Sequence, residues 1–181
     1  VGPLLISRVA IANCLGLGLR AVLDALLERR SGLALCAFDN VSLDTYVGEV
    51  ARLDEYHVDV ALAAYDSRNN RLAQLALEQD GFSAAVARAR DAHGARRIGV
   101  IVGTSTSGIL EAERAYRRRD PRSGALPADF RYAETQNYAS LADFVQRYLG
   151  LSGPAYVVSS ACSSTAKVFA SAARLMAAGV I

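Results

Sequence analysis

The sequence predicts an α/β fold of layered helices and strands. Two apolar runs carry that reading, Ile-Gly-Val-Ile-Val-Gly at residues 98–103 and Ala-Tyr-Val-Val-Ser-Ser-Ala at residues 155–161. Each has the length and continuous apolarity of a strand buried on both faces, and each passes through a small-residue turn into a segment of helical period. The third observation is bulk. A chain of 181 residues, 52% hydrophobic and 21% charged, supports one domain with its own core and is too apolar for a disordered segment.

The elements follow in chain order. Residues 8–13 are apolar and short, which predicts a buried strand. Gly16-Leu-Gly then turns into a helix carrying Leu19, Val22, Leu23, Leu26 and Leu27 at helical spacing. Residues 32–62 alternate only weakly and predict short strands and loops of no firm period. From Asp66 a helix places Leu72, Leu75, Ala76 and Gln79 on one face, Gly81 ends it, and a further helix runs to His93. The strand at 98–103 feeds Thr104-Ser-Thr-Ser-Gly108 and a helix from about Ile109. Pro121, Gly124 and Pro127 mark a solvated loop, helical period resumes over 138–149, and Gly150 with Gly153-Pro154 stops it. After the strand at 155–161, Ser163 or Ser164 is placed to cap a last helix running to about Ala178.

Charge and cysteine usage exclude several function classes. Twenty basic against 18 acidic side chains leave a net charge of +2, too little for a field that would gather nucleic acid. Cys14, Cys36 and Cys162 have neither the spacing of zinc ligands nor that of a redox dithiol, and three cannot all pair, which points to a reducing, cytoplasmic compartment. No apolar run approaches the roughly 18 to 20 residues of a membrane span, and the start at Val1 shows no basic region followed by a cleavage site. No metal site or resident cofactor is expected.

The chemistry concentrates at Cys162. On the helix that follows, Val168, Ala172, Leu175, Met176 and Gly179 form a stripe expected to dock on the sheet, about 22 Å of helix holding Cys162 at its N-terminus. A thiolate there meets unpaired backbone N–H groups and the positive end of the helix dipole, worth up to about 2 kcal/mol when partly buried. The same position also suits a buried small hydrophobe, which is what an isolated cysteine often is.

The local sequence weighs against that second reading. Gly153-Pro-Ala-Tyr-Val-Val-Ser-Ser-Ala-Cys162-Ser-Ser and its small-residue helix resemble the active-site segment of β-ketoacyl-acyl-carrier-protein synthases. Gly32 in Arg-Arg-Ser-Gly, Tyr65-Asp66 before a helix, and Val102-Gly-Thr-Ser-Thr-Ser-Gly108 fall in that family's order, so the resemblance covers nearly the whole chain. It implies the N-terminal half of a thiolase-like fold, a layered α/β arrangement with a mixed sheet, over residues 1–181. It also implies that Cys162 takes an acyl group from carrier-protein phosphopantetheine and that a malonyl unit then decarboxylates and attacks it. The Cys162 N–H would form half of the oxyanion hole.

Other roles come from the same resemblance. Thr106 occupies the place whose bulk limits acyl length across a dimer interface, and Ser163 lies beside the substrate. Arg122, with Arg118 and Arg119, falls where the acidic acyl carrier protein docks, although Arg114, Arg117, Arg118, Arg119 and Arg122 also read as a solvated helix end. The full-length form would be a homodimer in which the strand before Cys162 pairs across the two-fold axis. The family's two histidines and lysine lie in its second half. His57 and His93 match neither, so the chain is expected at most to accept an acyl group. Lys167 departs from the apolar or histidine side chain expected there, and Cys14 and Cys36 read as structural. A noncatalytic carrier-binding module and a thiolase-type acyltransferase remain as alternatives, and fatty acid, polyketide and aryl-polyene synthesis all fit. The loop at 103–108 lacks the spacing of a nucleotide cradle.

Overall fold

The computed structural model describes residues 3–38 and 41–181. Val1 and Gly2 of the apolar start lie outside the described residues, as do Asp39 and Asn40 of the weakly patterned stretch.

The centre is a parallel pair, β5 (Val100–Gly103) and β6 (Ala155–Val158), in register from Val100 opposite Ala155 to Gly103 opposite Val158. Parallel strands need a long crossover, and here it carries α4 (Ile109–Arg117), a π turn at Tyr132–Gln136 and α5 (Ala139–Tyr148). Successive residues of β5 face opposite ways. Val100 and Val102 pack into the core with Leu141, Phe144 and Val145 of α5. On the other face, Gly103 lies against Ser164 and Val168 of α6 (Ser164–Ala177). One helix on each face, α5 and α6, gives three layers.

The core on the α5 side is built around Phe144, which is 0% exposed and stacks near Tyr65 and Tyr148 with ring centroids at 6.1 Å in both pairs. Tyr65 donates to Asp143, and the Arg147 guanidinium lies 5.6 Å from the Tyr65 ring centre. The phenol of Tyr148 is pushed up to about 12, first by burial and then by Glu78. α2 (Arg68–Leu77) packs on α5, its N-terminus capped by Ser67, whose side chain accepts from the Asn70 N–H at 3.3 Å. A 3₁₀ turn at Gln79–Gly81 leads into α3 (Phe82–His93), which Gly94 ends at φ 86°.

The N-terminal part departs from expectation. The strand expected at 8–13 is reduced to β1 (Ala12–Asn13), paired antiparallel with β2 (Gly16–Leu17) ahead of α1 (Leu19–Leu27). An apolar run becomes a strand only where a neighbour takes its hydrogen bonds, and no described residue pairs along residues 8–10. Residues 32–62 do contain short strands: β3 (Leu33–Leu35) and β4 (Tyr46–Gly48) form an antiparallel hairpin. Gly32 and Gly48 close over Cys14. A Cβ on either would crowd the Cys14 sulfur at 2.9 and 2.8 Å, which accounts for Cys14 as a packing residue. Parallel and antiparallel pairs thus both occur, in three separate two-stranded sheets among the described residues.

No helix is long and apolar enough to cross a membrane among the described residues. Large apolar side chains are nevertheless exposed, from Leu5 at 91% to Leu27 at 73%. The accessible surface is 11530 Å², against about 8,400 Å² for a folded monomer of this mass.

Candidate active site

Because β5 and β6 are parallel, the turns that follow them leave from one edge of the sheet, the place where open α/β folds hold their ligands. The two turns are tied there: the Thr104 N–H donates to the Val158 carbonyl at 3.3 Å. One carries Thr106, the other Cys162.

The Cys162 turn is tight. Ser159 and Ser160 leave the strand, Ala161–Ser163 form one 3₁₀ turn, and α6 starts at once. Cys162 is exposed, immediately ahead of a 14-residue helix. No hydrogen bond holds the Cys162 N–H among the described residues. Ala161 has φ 52°, the left-handed region that costs a residue with a Cβ about 1 to 2 kcal/mol. The geometry resembles a nucleophile elbow, in which a strained turn presents a reactive side chain beyond the strand end.

The serines around it depart from expectation. Neither Ser163 nor Ser164 caps α6 by accepting from its first N–H groups. The Ser163 hydroxyl donates back to the Ser160 carbonyl at 2.8 Å, so it is engaged within its own turn. Ser164, only 5% exposed, accepts from the Ser160 N–H at 2.9 Å and donates to the Ala161 carbonyl at 2.8 Å. Ser163 does hold the position before α6, but its backbone is helical, φ −88° and ψ −2°, rather than in the β region from which a capping hydroxyl reaches the first helical N–H groups. The docking stripe holds in part: Val168, Ala172 and Leu175 are half-buried and Ser164 and Ala173 join them as buried residues, while Met176 and Gly179 are exposed.

The second wall is the loop at 104–108. Ser107 adopts φ 49°, its N–H donates to Thr104 Oγ1 at 3.2 Å, and its hydroxyl donates to the Asn137 carbonyl at 3.3 Å. Tyr138 Oη donates to the Ser105 carbonyl at 3.1 Å. Thr106 is the exposed tip. Gly108 lies so close to the Thr135 carbonyl that a Cβ has no room there.

The arginines stand elsewhere. Arg117 ends α4, and Arg118, Arg119 and Arg122 follow it, so the cluster lies at the opposite end of a nine-residue helix, about 13 Å from the Thr106 loop. Arg118 is engaged by Asp129 at 3.0 and 3.3 Å, and the Arg118 guanidinium holds the Asp129 carboxyl below the usual carboxylate range. Arg119 and Arg122 make no side-chain ion pair among the described residues. His57, 3.9 Å from Asp66, and His93 at the end of α3 are exposed and far in sequence from the Cys162 turn, in keeping with surface roles. Lys167 is exposed on the first turn of α6.

Two cavities, of about 180 and 940 Å³, open elsewhere. The smaller is lined by Asp66, Glu111 and Arg118 among others, the larger by Phe38, Val47, Leu72 and Leu110, and neither includes Cys162 or Thr106. The chemistry of Cys162 therefore lies on an open edge of the described chain rather than in either cavity.

Comparison with known proteins agrees with this geometry. The family described as β-ketoacyl synthase, N-terminal domain, matches residues 9–180. Among solved structures, the ketosynthase ApeO of Xenorhabdus doucetiae, determined in complex with its chain length factor ApeC, superposes with a TM-score of 0.80 at 30% identity. The match covers 97% of this chain and 44% of that one, so the chain spans less than half the length of this relative. No curated protein matches the sequence. With the family model matched over almost every residue, the chain, whose Cys162 turn stands at the carboxyl edge of a parallel pair, belongs to the β-ketoacyl synthase family, as its N-terminal domain.

Proposed function

We propose that Cys162 is the acyl acceptor of a β-ketoacyl-acyl-carrier-protein synthase that performs decarboxylative condensation. The supporting observation is the Cys162 turn: an exposed thiol ahead of α6, beside a backbone N–H that no group engages among the described residues. The thiolate attacks the carbonyl carbon of an acyl thioester carried on phosphopantetheine. The oxyanion of the tetrahedral intermediate is met by the Cys162 N–H, and its collapse expels the carrier sulfur as a thiolate, which takes up from solvent the proton that the Cys162 thiol gave up. Malonyl carrier protein then loses carbon dioxide, its carbanion attacks the acyl-enzyme, and Cys162 leaves as thiolate, giving a 3-oxoacyl carrier thioester.

In this reading Thr106, on the loop that shares the sheet edge, limits the length of the bound chain, and Ser163 borders the substrate. Arg119 and Arg122 offer cations to an acidic acyl carrier protein, while Arg118 is already balanced by Asp129. The working protein is a pair of subunits, read as a homodimer. The edge of β6 away from β5 has no partner among the described residues and suits such pairing. The pathway is fatty acid, polyketide or aryl-polyene synthesis in the cytoplasm.

The test is intact-mass analysis after incubation with an acyl-carrier thioester, for the wild type and Cys162→Ala. An acyl mass on the wild type alone is expected. No adduct on either, with carrier binding retained, would replace the enzyme reading with that of a docking module.

A further inference from the structure

We propose that Ser164 is a positioning residue that aims the Cys162 N–H. The inference rests on the reading of Cys162 as acyl acceptor. The Ser164 hydroxyl bonds both sides of Ala161 at once, accepting from the Ser160 N–H at 2.9 Å and donating to the Ala161 carbonyl at 2.8 Å. Those two groups bracket the one backbone position in the turn with a left-handed φ, 52° at Ala161. An alanine does not stay in that region unless its surroundings hold it there.

The Ala161 carbonyl and the Cys162 N–H belong to one peptide unit. That unit is planar and trans, so its carbonyl and N–H point in opposite directions. The Ser164 backbone N–H and hydroxyl both donate to that carbonyl, and the hydroxyl alone also ties it to the Ser160 N–H, so the side chain fixes the tilt of the peptide and turns the Cys162 N–H away from the interior, toward the side on which Cys162 is exposed. Ser164 can sit so deep because Gly103 of β5 is directly above it. A Cβ at Gly103 would lie 3.2 Å from that of Ser164, so the absence of a side chain on the strand makes room for the clamp. Ser164 touches neither thiol nor substrate in this role. It acts through the direction of a peptide.

The experiment compares two reactions of the same thiol. Acyl transfer passes through an oxyanion that the Cys162 N–H must meet, whereas alkylation by iodoacetamide is a displacement at a saturated carbon and forms none. Loss of one oxyanion donor costs about 10² to 10³ in rate. Ser164→Ala, which leaves that donor present but misdirected, should therefore slow acylation from an acyl-carrier thioester about 10-fold or more. Alkylation of Cys162, read over a pH series, should stay within about 3-fold, since it draws nothing from the oxyanion site. Parallel loss of both reactions would overturn the inference by showing that Ser164 sets the exposure or reactivity of the thiol, and unchanged acylation would overturn it outright.

Should Ser164→Ala fail to fold, the double variant Ala161→Gly/Ser164→Ala removes the Cβ penalty at φ 52° and restores the fold, and the same two rates are compared in it. A wild-type protein that alkylates but takes no acyl group would instead refute the acyl-acceptor reading itself, and the inference with it.

Discussion

Replacing Gly108 by Ala tests the wall of the site opposite Cys162. The added Cβ would sit 2.8 Å from the Thr135 carbonyl carbon, closer still to its oxygen, and 3.3 Å from the Gln136 Cα. Comfortable contact between carbons needs about 3.5 to 4.0 Å and the carbonyl oxygen lies closer still, so the start of α4 and the π turn must separate by more than about 1 Å. Neither neighbour can yield by a rotamer change, because both are backbone. Separation at that point strains the two bonds that hold the loop at 104–108, from Ser107 to the Asn137 carbonyl and from Tyr138 to the Ser105 carbonyl. Overpacking costs about 1 to 3 kcal/mol and each bond about 1 kcal/mol, a total of about 3 to 5 kcal/mol. For a chain of this size that lowers the melting temperature by roughly 6 to 20 °C. Gly124→Ala is the control. Unlike Gly108, whose φ is −85°, Gly124 has a positive φ of 72°, but a Cβ there meets no atom within 4 Å, so only the backbone penalty of about 1 to 2 kcal/mol applies. Thermal unfolding followed by circular dichroism measures both. A Gly108→Ala melting temperature within 3 °C of wild type would show that the loop and the π turn do not approach as described.

Other outcomes follow from named contacts. The Arg71 guanidinium donates to both oxygens of Asp66, at 2.6 and 2.8 Å, and holds that carboxyl below the usual carboxylate range. The stabilisation is present above the unfolded carboxylate value of about 3.9 and is lost as pH falls through the depressed folded value. Arg71→Met should therefore cost about 1 to 2 kcal/mol near neutrality and progressively less in acid; urea titrations showing a cost independent of pH would contradict this. Arg122→Glu should weaken binding of an acidic carrier protein several-fold at low salt, with the difference shrinking as salt rises, and unchanged affinity at low salt would remove Arg122 from the docking surface. Phe144→Ala should cost about 3 to 5 kcal/mol, since the side chain is fully buried between Tyr65 and Tyr148; a loss below 1 kcal/mol in denaturant titration would mean the core is packed otherwise. The surface excess of about 3,000 Å² over a monomer of this mass should give strong binding of a hydrophobic dye, and fluorescence as low as that of a compact control protein would show that the exposed leucines of α1 are covered.

The parts of the fold that could be read ahead were those whose signal is local. A continuous apolar run followed by small residues and a helical stripe describes β5 with α4 and β6 with α6, because within each unit the strand, turn and helix signals lie next to one another in sequence. The hairpin of β3 and β4 gave no such signal. It pairs Leu33 with Gly48 across an intervening loop, and Leu33, Leu35 and Tyr46 are exposed, so the usual alternation of apolar and polar positions is absent. The strand expected over 8–13 failed for the complementary reason: its residues have strand character, but strand formation depends on a partner that sequence pattern does not identify.

The site divides in the same way. Cys162 could be placed at a helix start from the sequence, because strand and helix periods meet there and only a turn fits between them. The strain at Ala161 could not, since alanine carries none of the turn chemistry by which a left-handed residue is recognised, and the groups that bond to its turn come from Ser164 on the helix below. Ser163 and Ser164 are alike as sequence symbols, and the helix phase decides between them: the first points along an exposed turn, the second under Gly103. A one-residue change of phase therefore exchanges a surface hydroxyl for a buried clamp. That sensitivity is why the functional assignment of the second serine rests on three-dimensional contacts, and why separate acylation and alkylation rates are the measurements that bear on it.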